Sequence, residues 1–219
     1  MPPVPQSLAC LKDPEGCVGI TFSVSDFGND PSYVVIPQGI PYGDVMANFD
    51  KFFRTGRKPS PWKPFPVASY YRVGDGKNCT AWNYRDSPKQ TNPACVIFHK
   101  DARTAAHLRL PFGTVARIEA DVATYVEKRC SGHKDTGHCF QMYPHILEEA
   151  RGLADYLPGP LIVFADVGPY APRDVDLSTG SMEAVAGQTG STAGVMPVRI
   201  SVVALPIYAL QESARKIFQ

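Results

Sequence analysis

The 219-residue chain predicts a mainly β fold with helical additions, and three observations carry that expectation. Short apolar or alternating runs at 161–164, at 175–178 and ending at Ile118 have strand length, and Gly- and Pro-rich turns separate them. Helical period is confined to three segments, 42–54, 143–156 and 208–218. The apolar share of 44% is that of an ordinary globular core. The net charge of +1 supplies no global attraction for nucleic acid or an anionic membrane, and no apolar stretch is long enough to span a bilayer.

In chain order, residues 1–8 lack a basic region followed by an apolar run, so they do not read as a secretory signal. Residues 18–25 and 32–37 read as two strands joined by a turn rich in Gly, Asn and Asp. Asp44 is placed to cap a helix whose face collects Val45, Met46, Phe49, Phe52 and Phe53. The Pro-rich stretch 55–66, with Trp62 among basic residues, reads as a stiff connector. It divides an N-terminal strand and helix appendage, 1–66, from a β domain, 67–205, with residues 206–219 as a C-terminal helix or tail. Within the β domain an insertion at about 120–160 carries the helix candidate 143–156. Pro144 suits its first turn and Pro158 its end, and Ile146, Leu147, Ala150, Leu153, Ala154 and Leu157 form its apolar stripe.

The chemistry-bearing stretch is Asp166-Val-Gly-Pro-Tyr170-Ala-Pro-Arg173-Asp-Val-Asp176-Leu-Ser178. An apolar strand delivers the chain to Asp166 and Gly168-Pro169 turns it, which puts a carboxylate where a strand ends and a loop opens. The competing assignment makes Asp166 and Asp176 turn caps that accept backbone N–H groups.

Six cysteines fall as local pairs, Cys10 with Cys17, Cys79 with Cys95 and Cys130 with Cys139. Local disulfides are the simplest arrangement and imply work outside the cytosol. Cys130, His133, His138 and Cys139 also offer sulfur and imidazole. Adjacent His138 and Cys139 are awkward for one tetrahedral ion, and there is no second Cys-x2-Cys arm, so no metal and no cofactor is expected.

Thr104-Ala-Ala-His107, Leu110-Pro-Phe-Gly-Thr114, Asp166 to Tyr170, Arg173 to Ser178 and the strand beginning Gly194-Val-Met-Pro-Val follow one another in an order that resembles the rare lipoprotein A family. Ala68-Ser-Tyr-Tyr71 resembles that family's opening strand. The resemblance implies a six-stranded double-psi β-barrel and lytic transglycosylase action on peptidoglycan glycan strands. It casts Asp166 as acid and base and His107 as the group that orients it or holds sugar. Asp176, Arg173, Tyr170 and Tyr71 would line the substrate. The sequence departs from the family pattern at Val96 and His99, where the family has carboxylates, and at Val167, where it has arginine. Carriage by a phage particle or tail, with virion or envelope proteins as partners, accounts for a wall-directed chain without a secretory signal. The alternative is a barrel that binds glycan or serves a structural role without catalysis.

Overall fold

A computed structural model describes residues 21–54, 67–71, 103–111, 113–166, 174–193 and 195–218. Its strands are β1 (Tyr33–Pro41), β2 (Val67–Tyr71), β3 (Thr104–Ala106), β4 (Val115–Ala120), β5 (Leu161–Asp166), β6 (Val175–Ser178) and β7 (Val195–Pro206). They form one mixed sheet in the order β1-β7-β2-β6-β3-β5-β4, with a further pairing of β7 to β4. The sheet curls into a half-barrel with helices packed on it, and helix makes up more of the described chain than a mainly β reading implies.

β7 organises the sheet. It pairs antiparallel with β2 through Val195 to Pro197, with β4 through Val198 to Ala204, and with β1 through Ser201 to Pro206. Its burial is nearly continuous, as expected of a strand covered on both faces rather than on one. Two pairings are parallel, β2 with β6 and β3 with β5.

The expected strand at 18–25 is corrected over its described residues, 21–25. Val24–Gly28 is a short helix, α1, whose start is held by the Asp26 carboxylate accepting the Ser23 N–H at 2.7 Å. The single helix expected at 42–54 is two, α2 (Tyr42–Ala47) and α3 (Phe49–Phe52). Asn48 separates them. Its amide donates to the Asp44 carbonyl at 3.0 Å and competes with the backbone for that acceptor. Pro41, not Asp44, precedes the first turn. The apolar face is as expected, with Val45, Met46, Phe49 and Phe53 buried and Phe52 packed against them.

These N-terminal elements share the main core with the sheet. Phe53 bridges to Leu210, the Arg54 N–H donates to the Ala209 carbonyl at 3.0 Å, and the Gln211 side chain donates to the carbonyls of Asp50 and Phe53. The C-terminal helix expected from 208 is a 3₁₀ turn at Ile207–Ala209 followed by α8 (Glu212–Phe218).

The insertion holds three helices, α4 (Val122–Arg129), α5 (Thr136–Met142) and α6 (Pro144–Ala154). Asp121 caps α4 by accepting the Thr124 N–H at 3.2 Å, and Asp135 caps α5 by accepting the His138 N–H at 2.7 Å. Pro144 opens α6 as expected, and Ile146, Ala150 and Leu153 are buried, whereas Leu157 lies 39% exposed. Cys130 and Cys139 form a disulfide that joins the end of α4 to α5 over Ile146. Closing so short a loop stabilises the fold by about 2–3 kcal/mol on the chain-entropy account. The other four cysteines lie outside the described residues. A final helix, α7 (Thr179–Ala193), is broken at Gly187, whose φ of 53° and ψ of −144° are not helical. A Cβ at Gly187 would collide with the ring of Tyr156, so α7 and the end of the insertion approach closely there.

Candidate functional site

The site is built where three strands meet. β3 is only three residues long, and it lies between β5 on one side and β6 on the other. Its last residue, Ala106, is registered with Asp166 across the parallel pairing and with Asp176 across the antiparallel one. The β5 pairing skips Ala165, a bulge that brings the backbone of Asp166 level with Ala106. His107 follows directly. The register therefore brings Asp166, Asp176 and His107 to one end of these three adjacent strands from three separate stretches of sequence.

His107 is 3% exposed. Its Nδ1 accepts the backbone N–H groups of Arg109 at 3.0 Å and Leu110 at 2.9 Å, which bends residues 107–110 around the ring. With Nδ1 an acceptor, the hydrogen-bond network assigns the ring proton to Nε2, which donates to the Tyr42 hydroxyl at 2.9 Å. The rings of Tyr42 and Phe164 meet it edge-on at 5.6 and 5.8 Å. Burial, and after it the charge of Arg109, push the imidazole pKa down to about 3. The ring is thus neutral through the physiological range. Both nitrogens are spent within the fold, so direct contact with a sugar would require breaking the bond to Tyr42. The same holds for a hydrogen bond from the ring to Asp166, the other role expected of His107.

Tyr42 is buried as well. Its phenol is raised well above its ordinary range, first by burial and then by the negative charge of Asp174. Arg109 lies with its guanidinium 4.3 Å over the Phe49 ring and Nη1 3.8 Å from the Met46 sulfur. Its pKa is lowered by burial, against the pull of Tyr42 and Asp50. Its Nε and Nη2 have no hydrogen-bond partner among the described residues.

Two further motif residues belong to the frame. The Ser178 hydroxyl donates to that of Ser181 at 2.9 Å and accepts the Ser181 N–H at 3.1 Å. Ser181 in turn donates to the Thr104 carbonyl at 2.8 Å. This buried chain ties the start of α7 to β3. Asp176 is half-buried and alternates with buried Val175 and Leu177. Tyr71 is registered with Ser178 in the parallel β2–β6 pair. Tyr170, Arg173, Val96 and His99 lie outside the described residues.

Tyr42, Arg109 and Asp174 were not singled out by the sequence. A weak signal was present for one of them, since His107 sits between small and apolar neighbours and so needs partners from elsewhere in the fold. Cys130 and Cys139 are spent in their disulfide. Among the described residues no group of three or more His, Cys, Asp or Glu side chains is placed to hold a metal ion. The rings of His133 and His138 lie 6.1 Å apart on the insertion. No helix among the described residues is long and apolar enough to cross a membrane. No protein-family model matches the chain, and no curated protein matches it significantly.

Proposed function

We propose that the chain is a peptidoglycan-directed protein on a six-stranded double-psi β-barrel of the rare lipoprotein A kind, cleaving glycan strands as a lytic transglycosylase. The observation that carries this reading is the register of Ala106 with both Asp166 and Asp176. It sets two acidic positions beside the end of the Thr104-Ala-Ala-His107 strand. The two parallel pairings, β2 with β6 and β3 with β5, support the barrel assignment.

In this mechanism the Asp166 carboxyl protonates the oxygen linking N-acetylmuramic acid to N-acetylglucosamine, and the C1–O bond breaks. The resulting carboxylate takes the proton of the muramyl C6 hydroxyl, whose oxygen closes on C1 to give a 1,6-anhydro ring. One carboxyl thus serves as acid and then as base, and no water is consumed. Tyr71 and Tyr170 would stack on sugar faces and Arg173 would hold polar groups of the strand. His107 holds the strand end rather than the substrate. The Cys130–Cys139 disulfide supports a place of action outside the cytosol, in a phage particle or tail or in the cell envelope.

A second reading, a glycan-binding or structural component without catalysis, is favoured by Val96 at the family's glutamate position and by the two occupied nitrogens of His107. Digestion of purified sacculi with mass detection of anhydro-muropeptides decides between them. The enzymatic reading expects anhydro products from the native chain and none from Asp166→Asn. Retention on sacculi without product from either supports the second.

A further inference from the structure

We infer that Tyr42 is a positioning residue of the candidate site: its hydroxyl holds His107, and through it the end of the strand to which Asp166 and Asp176 are registered. The inference deepens the proposed function and rests on it for the meaning of the site.

β3 has three residues, and its pairings stop at Ala106. A ladder that short fixes little beyond its last bond, so the place of residues 107–110 depends on what holds them next. His107 does so from both ends of its ring. Nδ1 gathers the N–H groups of Arg109 and Leu110, and Nε2 reaches Tyr42, 65 positions earlier in the chain. The imidazole is a strut between α2 and the turn that leaves β3. Its edge contact with Phe164 sets it against β5 two residues before Asp166. Tyr42 is itself fixed as the first residue of α2, 6% exposed, with Val45 and Met46 of the same helix in the core. Its phenol stays protonated beside Asp174, so it accepts from Nε2 and keeps a proton of its own to donate. The segment ahead of the Pro-rich stretch is therefore a component of the site.

The test compares full-length Tyr42→Phe with Val45→Ala, a core truncation on the same helix that leaves the hydroxyl in place. Two readouts are taken: anhydro-product formation against sacculus concentration, and the backbone amide resonances of Ala106, Asp166 and Asp176. Tyr42→Phe is expected to lower kcat between roughly tenfold and a hundredfold at little-changed KM, and to move all three resonances. Val45→Ala is expected to lower stability while leaving kcat and those resonances near native. Native-like kcat and resonances in Tyr42→Phe, or equal shifts in Val45→Ala, would overturn the inference. If the native chain releases no anhydro product, the peptidoglycan reading falls and the resonances alone decide the positioning role. Tyr42→Gln, which restores an acceptor without the ring, covers the case in which Tyr42→Phe does not fold. Resonances close to native support the hydrogen bond as the positioning element, and displaced ones count against it.

Discussion

The described histidines of this protein occupy two contrasting regions. His107 lies where β3, β5 and β6 meet, with each ring nitrogen assigned a partner. His133, His138 and His145 stand on the helical insertion, with the His133 and His145 rings 5.3 and 6.0 Å from Tyr143 and the His138 ring 6.1 Å from His133. The first region is specified by contacts between distant parts of the chain. The insertion is specified locally, by Asp121 and Asp135 at helix starts, Pro144 in a first turn and a disulfide closing a short loop. One residue type thus serves as an internal strut in one place and as surface in the other. The difference lies in burial and in how far each partner has travelled along the sequence.

That contrast is open to direct attack. The largest effect is expected from His107→Ala, which leaves the Tyr42 hydroxyl and two backbone N–H groups without their partner and opens a cavity. Denaturant unfolding should show a loss of about 3–5 kcal/mol, whereas His133→Ala should stay within about 0.5 kcal/mol. Acid should discriminate the same pair. The folded-state pKa of His107 lies near 3, below its ordinary value of 6.5, so the unfolded chain takes up a proton first. The stability held by the neutral ring is complete above about pH 6.5 and is lost as pH falls from there towards 3, at up to about 1.4 kcal/mol per unit. Equilibrium unfolding across that window should show the slope in the native chain and in a His133→Ala, His138→Ala variant alike. It should be absent from His107→Gln.

Smaller effects sharpen the local side of the comparison. Paired Cys130→Ser and Cys139→Ser changes should cost about 2–3 kcal/mol by thermal unfolding. Mass analysis of the unreduced native protein should show the bridge between those two residues. Asp121→Ala, removing one helix cap, should cost about 1 kcal/mol.

Where the order of the fold is local, the amino-acid sequence displayed it. The strands around 115–118, 161–166 and 175–178 were readable from apolar runs between turn residues, the one beginning near 195 through resemblance, and α6 from Pro144 and its stripe. Helices α4 and α5 escaped because their buried apolar residues are few, Tyr125 in one and Cys139 in the other, so no stripe announces them. Helix α7 escaped for another reason. Its run of Gly, Ser and Thr reads as loop, and only burial of Met182, Val185 and Ala186 makes it helical. At the site, Asp166 was visible as a carboxylate where a strand ends and a loop opens and His107 through resemblance, but their meeting was not, because strand pairing and not spacing brings them together. Tyr42 and Asp174 were not marked themselves, since a hydroxyl and a carboxylate in distant segments carry no sign of the partner they will meet; the one hint of Tyr42 was the need of His107 for a partner.

The place of β7 in the chain has a consequence for synthesis. Three strands made earlier, β1, β2 and β4, pair with a segment that leaves the ribosome after all of them. Until residues 195–206 emerge, Val34, Phe49 and Ile118 have no finished interior to enter. The nascent polypeptide must therefore hold sticky surface uncovered until that strand arrives to complete the sheet.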